Sequence, residues 1–135
     1  MKKILYTIIL LITIATYSQE KTDWTLIEDS ETERILHRLN TKNTAWIQTS
    51  YKNDDKMVNN EPVRSSLVLI KFDCRNEKYA ISSERKFNEN KKVIYDYEFS
   101  DGEMMLVMKK AVPNSNAKKY LEAHCKIIRF NLKSY

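Results

Sequence analysis

The order of apolar and polar positions predicts a sheet-rich chain that ends in a helix. The longest apolar-rich run after residue 18 covers residues 65–74, which we predict to be a central strand. Residues 44–51 are rich in β-branched and aromatic side chains, and residues 78–88 and 92–99 alternate with a period of two. Both patterns are typical of half-buried strands. The sequence therefore indicates an antiparallel sheet built around residues 65–74.

Two weaker patterns precede these strands. Residues 23–28 predict a first short strand. Residues 33–39 are ambiguous, because alternate positions fit a strand whereas Ile35, Leu36 and Leu39 would share one face of a helix. We choose the strand, which brings the sheet to about six strands.

Polar stretches separate these elements. Residues 52–62 form the longest one and predict a mobile surface loop. Asp101-Gly102 is the strongest turn dipeptide, and residues 104–108 predict either a strand or an extended segment on the sheet.

The period changes near the end of the chain. Residues 116–128 predict a helix whose apolar stripe faces the sheet, with Ser115 or Asn114 as its N-cap and residues 129–135 as a short tail. The stripe recurs at spacings of three and four and consists of Ala117, Tyr120, Leu121, His124, Cys125 and Ile128. The predicted fold class is α+β, with one C-terminal helix packed across an antiparallel sheet.

The N-terminus has the pattern of a secretory signal peptide. Lys2 and Lys3 precede an apolar run at residues 4–15, and Thr16 and Ser18 supply small residues before a cut at Gln19. An uncleaved membrane anchor is the alternative, although the run is shorter than the roughly 20 residues that span a bilayer. We therefore expect residues 1–18 to be removed, leaving a domain of residues 19–135 with no transmembrane segment.

Export would place the two cysteines, Cys74 and Cys125, in an environment where a disulfide can form. Exported domains keep disulfides, so we predict a bond that ties the end of the central strand to the helix. Two buried free thiols are the alternative.

Several positions together resemble the surface-adhesin protein E family of exported bacterial proteins. They are Ser65 or Ser66, Asp73, Cys74, Val112, Pro113, Ser115 and Cys125, with Asn114 where the family often has Gly. Asn shares the tolerance of Gly for left-handed backbone. The resemblance covers residues 23–125 and implies a sheet crossed by a C-terminal helix, residence at the surface or in the periplasm, and adhesion to host matrix proteins.

Few residues suggest catalysis. His37 and His124 are far apart and lack metal-ligand spacing, and His124 would be stabilised by the C-terminal end of the helix dipole. With Gly102 as its one glycine, the chain has no phosphate-binding loop. We expect no enzyme activity, no metal and no cofactor. An aromatic set is assigned to core packing rather than to a ligand face: Tyr79, Tyr95, Tyr97 and Phe99.

Positive charge is concentrated at the C-terminus, where residues 109–135 contain seven basic residues against Glu122. Lys118, Lys119 and Lys126 lie off the apolar stripe and should be solvated. With Arg129 they form a candidate site for a polyanion, or they serve solubility alone.

We interpret the chain as an exported, non-enzymatic binding protein whose partner is a polyanionic or matrix macromolecule and not a nucleic acid. A periplasmic structural or chaperone-like accessory protein is the alternative.

The signal peptide gives the first prediction. N-terminal sequencing of the exported protein should begin near Gln19, because signal peptidase removes the leader. An intact Met1 in the membrane fraction would contradict it.

Overall fold

An antiparallel sheet of six main strands carries the fold, and one helix crosses it. The computed structural model describes residues 23–100, 103 and 107–133. The elements are β1 (Thr25–Asp29), β2 (Glu33–Thr41), β3 (Thr44–Tyr51), β4 (Met57–Val58), β5 (Glu61–Pro62), β6 (Ser65–Asp73), β7 (Lys78–Phe87), β8 (Val93–Glu98), β9 (Lys109–Lys110) and α1 (Asn116–Lys133). The predicted fold class is confirmed.

The strands follow the order β1-β2-β3-β6-β7-β8, with the short β9 paired to the start of β7. The predicted central strand is β6, which pairs with β3 on one side and β7 on the other. Four of the strand pairings contain a register shift. Such bulges bend strands and increase their twist, which fits the curled shape of the sheet.

The ambiguous segment at residues 33–39 is a strand, as chosen. In β2 the side chains of Ile35 and His37 are almost fully buried, and in β3 Ala45, Ile47 and Thr49 are buried at alternate positions. Burial at alternate positions is expected of a strand, because every second side chain points to the same face.

The core lies between this sheet face and the inner stripe of α1. Its buried apolar members come from both layers: Ile35, Ala45, Ile47, Ile70, Phe72, Ala111, Leu121 and Cys125. Burial of such side chains supplies the main favourable free energy of folding.

The sequence predicts a loop at residues 52–62. The structure differs, because this segment contains the small hairpin β4–β5. The turn residues Asn59 and Asn60 both have positive φ, at 50° and 63°. Two left-handed residues in succession match the tight turns that connect adjacent strands, and Asn tolerates this conformation better than most residues.

The prediction that core packing explains the four aromatic residues is confirmed for Tyr79 alone among the four, and none of them belongs to the fully buried core. Tyr79 is partly buried and packs against the core, whereas Tyr95 is 38% exposed. Tyr97 and Phe99 meet edge to face, with ring centroids 4.5 Å apart. Among the described strands β8 pairs with β7 alone, so it forms an edge of the sheet.

Helix α1 begins as predicted and ends later. Ser115 is the N-cap, because its Oγ accepts a hydrogen bond from the backbone N–H of Lys118 at 3.1 Å, while Asn114 has a left-handed φ of 63°. The predicted tail is wrong in part, since the helix continues to Lys133. Residues 129–133 contain no Gly or Pro to stop it.

Some predictions fall outside the described residues. The leader at residues 1–18 and the Asp101-Gly102 turn lie there, as does most of the segment 104–108. Among the described helices, none is long and apolar enough to cross a membrane.

The predicted disulfide between Cys74 and Cys125 is present, with their Cα atoms 5.8 Å apart. Replacing either cysteine by serine should lower the free energy of unfolding by about 2–5 kcal/mol, as measured by urea denaturation. The double variant should lose no more than the single ones, because the bond is lost once. Alkylation of both thiols in the unreduced protein would contradict this account.

Candidate functional site

The outer face of α1 is the candidate site, and the disulfide determines which face that is. Cys125 lies on the inner stripe and is only 7% exposed, while its partner Cys74 follows the end of β6. The bond bridges 51 positions of sequence and holds the middle of the helix on the sheet. Polar side chains of α1 are thereby directed outward and to the sides.

The N-terminal half of this face is occupied by ion pairs. Lys118 Nζ donates a hydrogen bond to Glu77 Oε1 at 2.7 Å and lies 3.9 Å from Glu122 Oε1. This contact lowers the pKa of Glu77 and raises the pKa of Lys118, because each charge stabilises the other. Lys119 Nζ pairs with Glu28 of β1.

These pairs correct the expectation that both lysines are solvated. The side chain of Lys118 is 20% exposed and that of Lys119 is 38% exposed. Both lysines link the helix to neighbouring parts of the sheet layer, which reduces the positive charge they offer to a partner.

Lys126 and Arg129 are placed differently, since both are exposed. Within the described part of the chain, neither forms an ion pair. Of the four candidate polyanion residues, these two are the cations directed at solvent.

Two of the grooves formed by the described residues run along the C-terminal half of α1. The first, here called the disulfide groove, has a volume of about 670 Å³ and is lined by Cys74, Glu77, Leu121, Glu122, Cys125, Lys126, Arg129 and Phe130. The second, here called the β1 groove, measures about 440 Å³ and is lined partly by residues 25–27. Glu122, Lys126 and Phe130 line both, so they form the ridge between the grooves.

The comparison with known families identifies the chain. The model of the family described as surface-adhesin protein E matches residues 32–126, which is most of the described sheet and the first part of α1. The chain belongs to the surface-adhesin protein E family. No curated protein and no solved structure matches it.

A buried histidine pair lies beneath α1, and the sequence did not reveal it. His37 of β2 and His124 of α1 are 1% and 0% exposed, and His37 Nε2 lies 3.1 Å from His124 Nδ1. The other ring nitrogen, His124 Nε2, lies 3.1 Å from the backbone oxygen of Lys42. The ring of Phe72 stacks on His124 with centroids 4.5 Å apart.

These contacts define the tautomers. A carbonyl oxygen only accepts, so His124 carries its proton on Nε2 and leaves Nδ1 as an acceptor. His37 must therefore donate from Nε2. The arrangement accommodates two neutral rings. Protonation of His124 Nδ1 would remove the acceptor and place two N–H donors face to face.

Burial lowers the pKa of both histidines, because desolvation disfavours the charged ring. For His37, the nearby His124 adds to this effect and the pKa falls to about 4. The expectation that the helix dipole stabilises a charged His124 is wrong, because α1 continues to Lys133 and the ring lies in mid-helix.

The pair is a buried contact between the sheet and α1. Its rings are closed off from solvent. Both cysteines are bonded to each other, and the described residues hold no group of three or more His, Cys, Asp or Glu side chains that could bind a metal ion.

The histidine pair makes stability depend on pH. A histidine with an unfolded pKa near 6.5 and a folded pKa of about 4 binds its proton more readily when unfolded, so acid destabilises the fold. Between pH 6.5 and 4 the free energy of unfolding should fall by roughly 3 kcal/mol through His37 alone. Urea denaturation at several pH values measures it.

The control is His37→Phe, which keeps a ring in the site and removes its titration. Whatever its stability at neutral pH, this variant should show a smaller slope across the same pH range. An equal slope in the two proteins would show that His37 does not titrate in this way.

Proposed function

We propose that this chain is an exported, non-enzymatic binding protein that attaches to a macromolecule outside the cytoplasm through the outer face of α1. Membership of the surface-adhesin protein E family is the observation that carries this proposal. The disulfide supports it, because such bonds persist mainly in oxidising compartments outside the cytoplasm. Periplasm and cell surface are both compatible with this role.

The partner proposed for this face is a polyanion, such as a sulfated glycan or an acidic patch on a matrix protein. Lys126 and Arg129 are the principal contacts, because both are exposed and no carboxylate of the described residues pairs with them. Lys118 and Lys119 contribute less, since Glu77 and Glu28 already neutralise them. A lysine gives affinity as a mobile point charge, and the planar guanidinium of an arginine matches a carboxylate through two parallel hydrogen bonds.

A contact of this kind depends strongly on salt. Exposed charges are screened over about 8 Å at physiological ionic strength, so affinity should decline as salt is added. The rest of α1 would act as a rigid support that fixes the backbone positions of Lys126 and Arg129 while their side chains remain flexible.

Retention on immobilised heparin tests the proposal. The variant Lys126→Glu/Arg129→Glu should elute at clearly lower salt than the wild type. Lys118→Glu/Lys119→Glu should have a smaller effect once its lower stability is taken into account. Lys56→Glu/Lys92→Glu is the matched control, because both lysines are exposed, lie outside α1 and give the same change in charge.

The control variant distinguishes a site from a general charge effect. If the control and the α1 variant shift elution equally, net charge explains retention and the outer face of α1 has no special role. Fractionation of periplasm, outer membrane and medium then locates the protein and separates an adhesin from a periplasmic accessory protein.

A further inference from the structure

We infer that the disulfide groove binds a single-chain anionic amphiphile, such as a medium-chain fatty acid, with its alkyl chain on the apolar floor and its head group at Lys126 and Arg129. This role is separate from polyanion binding, although the two share these cations. The inference is based on the shape of the groove and on the residues that line it.

The floor of the groove is apolar. It is formed by the disulfide between Cys74 and Cys125 and by Leu121, which is 2% exposed and belongs to the core. Phe130 forms a wall that is 72% exposed. Apolar surface of this size is unfavourable in water, so an alkyl chain that covers the ring of Phe130 gains free energy.

The size of the groove fits a small ligand. Its volume of about 670 Å³ lies within the roughly 300–1,000 Å³ typical of sites for small molecules. Such sites combine an apolar lining with a few charged groups that orient the ligand.

The charges at the rim favour an anionic head. Glu77 and Glu122 are both close to Lys118, which neutralises part of their charge. Lys126 and Arg129 have no such partner among the described residues, so the rim retains positive charge at the C-terminal end of α1. An anion with an alkyl tail is complementary to this arrangement, whereas a cationic amphiphile is not.

Calorimetric titration with octanoate, decanoate and dodecanoate below their micelle concentrations tests the inference. Each methylene that enters the groove should lower Kd about fourfold. Decyltrimethylammonium, which has the same tail and the opposite charge, should bind more weakly than decanoate. This dependence on chain length separates the groove from the polyanion contact, which depends on charge and salt alone.

Variants of exposed residues locate the ligand without disturbing the core. Phe130→Ala should weaken decanoate binding about fivefold or more, and Arg129→Gln about two- to fivefold, the range expected for one exposed charge contact. Leu132→Ala is the matched control for Phe130, because Leu132 is 61% exposed on the same helix end but does not line the groove. Leu26→Ala tests the β1 groove, which Leu26 lines.

Several results would overturn the inference. Equal affinity for the three chain lengths would exclude the disulfide groove. So would weaker binding in Leu26→Ala together with unchanged binding in Arg129→Gln, because Arg129 lines the disulfide groove and Leu26 lines the β1 groove. Binding to phosphatidylglycerol vesicles without binding to monomeric decanoate would assign the surface to a membrane. A dimer in sedimentation that Phe130→Ala dissociates would assign it to a second copy of the chain. A wild-type protein that heparin does not retain but that still binds decanoate would refute the proposed polyanion contact and leave this inference standing.

Discussion

The attachment of α1 to the sheet at His124 and Cys125 determines most of what this molecule can do. These neighbouring residues reach different parts of the sheet layer: His124 contacts His37 and the backbone oxygen of Lys42, and Cys125 is bonded to Cys74. One contact is covalent and the other is a hydrogen-bonded pair in an almost fully buried site. Together they set the position and the rotation of the helix, and so decide which side chains face solvent.

With the helix held in this orientation, its two halves differ in what their outward side chains contact. In the first half, Lys118 and Lys119 reach carboxylates on both sides of the helix and add to its attachment. In the second half, Lys126, Arg129 and Phe130 are exposed and form the ridge and rim of the grooves. The binding roles proposed here therefore belong to the half of α1 that the sheet holds least.

Periodicity predicted the sheet, the helix and the direction of their buried faces, because burial repeats every second residue in a strand and every third or fourth in a helix. The sequence also placed His37 on an alternating strand face and His124 on the inner stripe. It could not show that the two rings meet, since their contact joins positions 87 apart and depends on how the layers stack. The partners of Lys118 and Lys119 were hidden for the same reason.

Nitrogen-15 NMR of the imidazole rings tests the attachment of α1 most directly. At neutral pH the account predicts two neutral rings that both carry the proton on Nε2, with a coupling across the hydrogen bond from His37 Nε2 to His124 Nδ1. A proton on Nδ1 of His124, or an imidazolium signal from either ring at neutral pH, would contradict it.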